Sequence, residues 1–151
     1  MVRPQRKRLR PSRALDITTR TFEARTAADL PRAFSAMVEW QADGVITLAD
    51  ALLFSQREHI VRLAISNRLP GVHPEVEFPL AGGLLSYGPS LAELFRRSAS
   101  YVDKIVKGTP PAQLPIEQPS KLELVVNLKT AQTLGLSISR DFLLRADEVI
   151  E

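Results

Sequence analysis

Asp50 is the residue in this sequence best placed to bind a small molecule. It follows the apolar run Gly44–Ala49 (GVITLA) and precedes a helical stretch. In an open parallel sheet, ligands sit outside the carboxyl ends of the strands. A carboxylate at such an end can pair with a ligand ammonium. The same position equally suits an aspartate that caps the following helix, and the sequence leaves both roles open. Tyr87 ends a second strand-like run, Leu84–Tyr87, and Gly88 and Pro89 follow it. Its ring can stack on a ligand or pack against neighbours. Glu75 and Glu77 stand two residues apart, which in a strand would put both on one face for acid–base exchange. A solvated loop pair is the plainer reading.

Other chemistry is sparse. His59 and His73 have no partner at metal-ligand spacing. His59 falls on an exposed helix face, and His73 near a strand end, with a loop role expected. There is no cysteine, which excludes disulfides, thiol catalysis and cysteine-ligated zinc. No dinucleotide-binding glycine pattern, P-loop or Gly-x-Ser-x-Gly elbow occurs, and Gly82–Gly83 alone carries little. The expectation is a protein that is not an enzyme and needs no cofactor.

The elements that must position Asp50 and Tyr87 alternate between strand and helix. Leu15–Ala24 is rich in β-branched residues and predicts a strand. Thr26 and Asp29 form an approximate capping box, and Leu30, Phe34, Met37 and Val38 continue at helical spacing to about Trp40. Gly44–Ala49 suits a strand buried on both faces. Ser55–Arg68 is amphipathic, with Ile60, Val61, Ala64 and Ile65 on one side. Pro70–His73 and Leu84–Tyr87 are short strands. Ser90 and Glu93 form a capping box for a helix through Lys107, closed by Gly108. Four prolines make Thr109–Ser120 an extended connection. Leu122–Asn127 predicts a strand, Thr130–Leu134 a short helix, and Arg140–Val149 a last helix capped by Ser139. Alternation of this kind implies an α/β fold with a mainly parallel sheet flanked by helices.

Of the 151 residues, 44% are apolar and 25% charged, an ordinary balance for a globular chain. The formal charge of +3 is unevenly placed. Six basic residues and no acid occupy residues 1–13, so the remainder is net acidic. This basic tail, residues 1–14, could attract nucleic acid or anionic lipid; a disordered tail or helix remnant is the plainer reading. Its basic start runs into Asp16 without the apolar stretch of a secretory signal.

Several segments together resemble a known family. GGLLSYGPSLAELFRRSASYVDKIVKG (82–108), PAQLPIEQPSKLELVVNLKTAQTLGL (111–136) and LLRADEVIE (143–151) resemble the C-terminal end of ABC-transporter substrate-binding proteins, in the branch that binds tryptophan or tyrosine. Residues 33–74 resemble the stretch that precedes it. The resemblance covers about residues 15–151. It implies a type I periplasmic-binding fold, in which two α/β lobes close on a solute. Residues 15–88 would be most of the C-terminal lobe. The helix in 89–108 would pack on the first lobe, and 109–151 would return as a Pro-rich segment, strand and terminal helices. The first lobe, and the opening strand and most of the first helix of the second, would lie outside this sequence.

The resemblance also implies that Asp50 meets a ligand ammonium and that Tyr87 lies at the interlobe crossing. The segment His73–Glu77 departs from that branch, which leaves the solute class open. The expected partners are a small-molecule solute and an ABC permease, with no nucleic acid, and the location is periplasmic. A homodimer through an exposed helix Ser90–Lys107 is a further expectation. Two other functional classes compete: a small cytoplasmic nucleic-acid-binding protein using the basic N-terminus, and a flavodoxin-like enzyme or receiver domain. The last would need a phosphate loop or an acidic pocket that the sequence lacks.

Overall fold

The computed structural model describes residues 17–119 and 121–151. The basic tail, and with it the nucleic-acid and lipid alternatives, lies outside the described residues. Five strands form one sheet in the order β1 (Val45–Ile46), β2 (Gly71–His73), β3 (Leu85–Pro89), β4 (Leu122–Asn127) and β5 (Glu148–Ile150). Strands β1, β2 and β3 are parallel, β4 runs antiparallel to β3, and β5 is parallel to β4. The helices are α1 (Leu30–Glu39), α2 (Ala51–Ser55), α3 (Arg57–Ser66), α4 (Glu77–Leu80), α5 (Leu91–Val106), α6 (Leu128–Thr133) and α7 (Arg140–Leu143).

The core forms where α1 and α3 lay their apolar stripes on β1. Leu30 and Phe34 of α1 meet Ile60, Val61 and Ala64 of α3, with Val45, Leu69 and Phe78 completing the cluster. Asp29 closes a capping box with Thr26 around the 3-10 turn Ala27–Asp29, which leads into α1. Its Oδ2 accepts from the amides of Arg25 (3.1 Å) and Thr26 (2.9 Å) and from the Thr26 hydroxyl (2.9 Å). These bonds, the hydroxyl foremost, hold its carboxyl below the usual range. Pro31 sits in the first turn, where its missing amide costs nothing. A second tie joins the far side of the sheet to the turn after α4. Asn127 donates to the Pro79 carbonyl (3.0 Å) and accepts from the Thr130 amide (3.0 Å), while the Thr130 hydroxyl donates to the Gly82 carbonyl (2.7 Å).

Several elements differ from expectation. Residues 17–24 are extended but belong to no sheet; they are held by Phe22 against Trp40, ring centroids 6.0 Å apart, and by Ala24 on the core. β1 is shorter than Gly44–Ala49 and is covered on one face only: Val45 is buried, whereas Ile46 is 70% exposed. The helix foreseen over Ser55–Arg68 is α3, Arg57–Ser66, and a short helix that was not foreseen, α2, precedes it, parted from it at Gln56. The helix foreseen over Arg140–Val149 stops at Leu143, and Glu148–Ile150 becomes β5. Asp147 enforces that change. It accepts from the Leu124 amide (2.9 Å) and pairs with Lys121 (3.1 Å), so the chain must run beside β4. α4 was not foreseen, and Glu75 and Glu77 lie at its head rather than in a strand, so the same-face argument for them fails.

α5 stands apart from this body. The Ser90 hydroxyl accepts from the Glu93 amide, and Gly108 takes a positive φ of 97° just beyond the helix, as a C-terminal glycine cap does. None of its sixteen residues is buried. Its companion is the Pro-rich strap that follows. The Tyr101 hydroxyl donates to the Pro115 carbonyl (2.7 Å), and Arg97 pairs with Glu117.

Candidate functional site

The three parallel strands deliver their carboxyl ends to one edge of the sheet. β1 continues through Thr47 to Asp50, β2 ends at His73, and β3 runs through Tyr87 to Pro89. Since β2 lies between the other two, the strands carrying Asp50 and Tyr87 are separated by two strand spacings, about 10 Å.

Asp50 caps α2. Its Oδ1 accepts from the amides of Leu52 (2.8 Å) and Leu53 (3.1 Å). The capping role left open by the sequence is thus filled by one oxygen, and among the described residues Oδ2 takes no hydrogen bond. Cap and ligand group are compatible roles, because a carboxylate has two acceptor oxygens. Tyr87 is 55% exposed, with its strand neighbour Leu124 opposite. More than half exposed, it lies outside the core.

Beyond Tyr87 the chain is pinned before it leaves. Gly88 passes so close to the loop after β2 that a Cβ there would lie 2.0 Å from the Pro74 carbonyl oxygen. No other residue fits without moving the backbone. Beneath this crossing is a cavity of about 10 Å³, lined by Pro74, Glu77, Ser86, Gly88, Ser90 and Glu123. Oε2 of Glu77 is buried with no partner among the described residues. Burial, and then the charge of Glu77, raise the Glu75 carboxyl above its usual range. A wider, open groove of about 460 Å³ lies between α5 and the strap, lined among others by Leu94, Tyr101, Ile105, Leu114 and Ile116.

His73 was expected in a loop, and the structure buries it instead. It is 1% exposed, in β2, with its ring stacked on Phe78 at 4.2 Å. Nδ1 meets the Thr47 hydroxyl at 2.9 Å. Burial lowers its pKa to about 4. Sequence reasoning missed this pair. Thr47 inside an otherwise apolar strand was the available signal, since a buried hydroxyl requires a partner. His59 lies on α3, partly buried. Among the described residues there is no cluster of three metal-ligating side chains, and no helix is long and apolar enough to cross a membrane.

A mainly parallel sheet whose strand ends gather at one open edge, beside a helix that leaves the body, is the arrangement that the resemblance implies for half of a two-lobed solute-binding fold. The ABC transporter substrate binding protein family matches residues 7–150, and the chain belongs to that family. A conserved domain protein from Vibrio cholerae has a similar structure, with a TM-score of 0.84 at 25% identity, over 91% of this chain and 46% of that one. So does an ABC domain from Streptococcus pneumonia in complex with L-Trp, with a TM-score of 0.84 at 24% identity, over 92% and 48%. A substrate binding protein with adhesive properties from Clostridium difficile, in its ligand-free, open structure, gives a TM-score of 0.61 at 17% identity, over 93% and 47%. The chain therefore spans about half the length of these structures. No curated protein matches it.

Proposed function

We propose that this chain is one jaw of a clamp that binds a small organic solute, an amino acid or a close analogue, for an ABC import system. The observation that carries this reading is the convergence of Asp50 and Tyr87 on one edge of the parallel sheet, at the point where the chain leaves the body through Gly88. Asp50 Oδ2 would accept from the solute's ammonium, and the exposed ring of Tyr87 would cover its side chain. The L-Trp complex of the pneumococcal ABC domain supports an amino acid as the solute. Membership of a substrate-binding family supports an ABC permease as partner and the periplasm as location.

The bare face of α5 fits the same reading. In a clamp of two lobes this helix would lie against the opposite lobe, which accounts for a sixteen-residue amphipathic helix without one buried residue. We assign that face to the opposite lobe, and not to the homodimer that the exposed helix suggested, for which nothing among the described residues speaks. A hinged binder gains affinity by enclosing its ligand from both sides and excluding water. One jaw alone supplies half of the contacts and no enclosure.

Titration of ¹⁵N-labelled chain with millimolar amino acids tests this. The expected result is weak, saturable binding that shifts the amides of Leu52, Leu53 and Gly88 and is lost in Asp50→Asn. Micromolar affinity would contradict the single-jaw reading, and shifts confined to other regions would remove Asp50 and Tyr87 from the site.

A further inference from the structure

We propose that His73 is a positioning residue for the solute site: through Thr47 it fixes the loop that carries Asp50, and acid releases that loop. This rests on reading Asp50 as a ligand group. Just beyond β1, Thr47 is the last residue before Asp50 whose side chain the interior holds, and Asp50 stands three residues further on. Two bonds tie Thr47 to β2. Its amide donates to the Val72 carbonyl (3.1 Å), and its hydroxyl meets His73 Nδ1 (2.9 Å). Only the second depends on a side chain that can change charge.

The surroundings of His73 suit a neutral ring and no other. Phe78 of α4 stacks on one face. Gly71 of the same strand and Gly83 of the turn after α4 lie so near that added Cβ atoms would approach the ring to 2.5 and 3.3 Å. Ser86 is its partner across β3. A threonine hydroxyl can donate or accept, so the link to Nδ1 survives in either neutral tautomer. The imidazolium has two N–H donors. Nδ1–H would keep Thr47, but Nε2 is buried and has no partner among the described residues. The neighbouring carboxyls are Glu75 and Glu77, on the segment leading into α4. Neither carboxylate hydrogen-bonds the ring among the described residues, and burial lowers the pKa of His73. A protonated ring must therefore leave its place and take Thr47's anchor with it.

The experiment reads hydrogen exchange at the Leu52 and Leu53 amides, the two that Asp50 caps, in the full chain without solute. Thr47→Val keeps the shape and removes the hydroxyl. It should lower protection of these two amides about fivefold to tenfold at pH 7, as loss of one hydrogen bond implies, while Thr47→Ser restores it. In the wild type, opening that exposes the ring should grow about twentyfold from pH 7 to 5, given a ring pKa of about 4 closed and 6.5 open. His73→Asn, which can still bond Thr47 but does not titrate, should abolish that pH dependence. Unchanged protection in Thr47→Val would overturn the proposal, as would an equal acid loss in His73→Asn. Should Thr47→Val not fold, the His73→Asn profile decides alone. Because no solute is present, the link can fail while Asp50 still binds an ammonium. Equally, Asp50 can prove irrelevant to binding while the link holds.

Discussion

The body of this protein and its arm, α5 with the Pro-rich strap, are built on opposite terms. The body draws Phe78, Ile60, Val126 and His73 almost wholly out of water. Among the described residues α5 is the longest helix and strongly amphipathic, yet its apolar side chains face outward: Phe95 is 74% exposed and Val106 80%. Among the described residues, side-chain polar ties join α5 to the strap at two places, Tyr101 to Pro115 and Arg97 to Glu117. The contrast teaches that local sequence signals make an element, whereas only burial gives it a share in global stability. The body is held by what it hides, and the arm by its own backbone and its ties to the strap.

That contrast can be broken in measurable ways. Phe78→Ala should remove about 3–5 kcal/mol of stability, the usual cost of emptying a large aromatic site in a packed core; urea unfolding measures it, and a loss under 1 kcal/mol would show that the body is loosely packed. Acid should come next. The folded pKa of His73, about 4, lies below its ordinary 6.5, so the unfolded chain binds the proton first as pH falls. The contribution is complete above pH 6.5, declines between 6.5 and 4, and amounts to roughly 3 kcal/mol. His73→Asn should flatten that part of a stability–pH curve. Asp50→Ala should cost about 1 kcal/mol through the lost cap, while Asp50→Asn, still a good cap, should cost little. Phe95→Ser in the arm should change stability by less than about 0.5 kcal/mol in this chain. A cost of several kcal/mol there would mean that α5 is covered in solution, and would erase the distinction between body and arm.

Legibility in the sequence divides along the same line. The arm was read closely because its signals are local: Ser90 and Glu93 at the start, apolar residues at helical spacing, Gly108 at the end. β4 was read to the residue, since Leu122–Asn127 is a short β-rich run after a proline-rich break. The misreadings are places where distant contacts decide. Nothing near Glu148 announces that Asp147 will reach Leu124 and Lys121 and turn the chain into β5. Residues 17–24 have strand composition, but composition supplies no partner, and a strand without a neighbour is only an extended segment. For the proposed site, the sequence offered Asp50 and Tyr87 as candidates at strand ends, and the structure puts both on one edge of the sheet. It could not supply His73, because the burial of that ring depends on Gly71 and Gly83 leaving room for it and on a hydroxyl twenty-six residues away.

The pairing of Pro89 with Leu122 gives the arm an unusual attachment. The chain departs at the last rung of the β3–β4 ladder and re-enters at that same rung, so the whole excursion is carried on two adjacent strands, like a flag on a doubled pole. Such a mounting resists twisting and sideways shear, because the two strands would have to slide past each other. It yields most readily to bending across the pair. A bend across the pair is the deformation that leaves the ladder intact, and Gly88, wedged against Pro74, stands one residue before that rung.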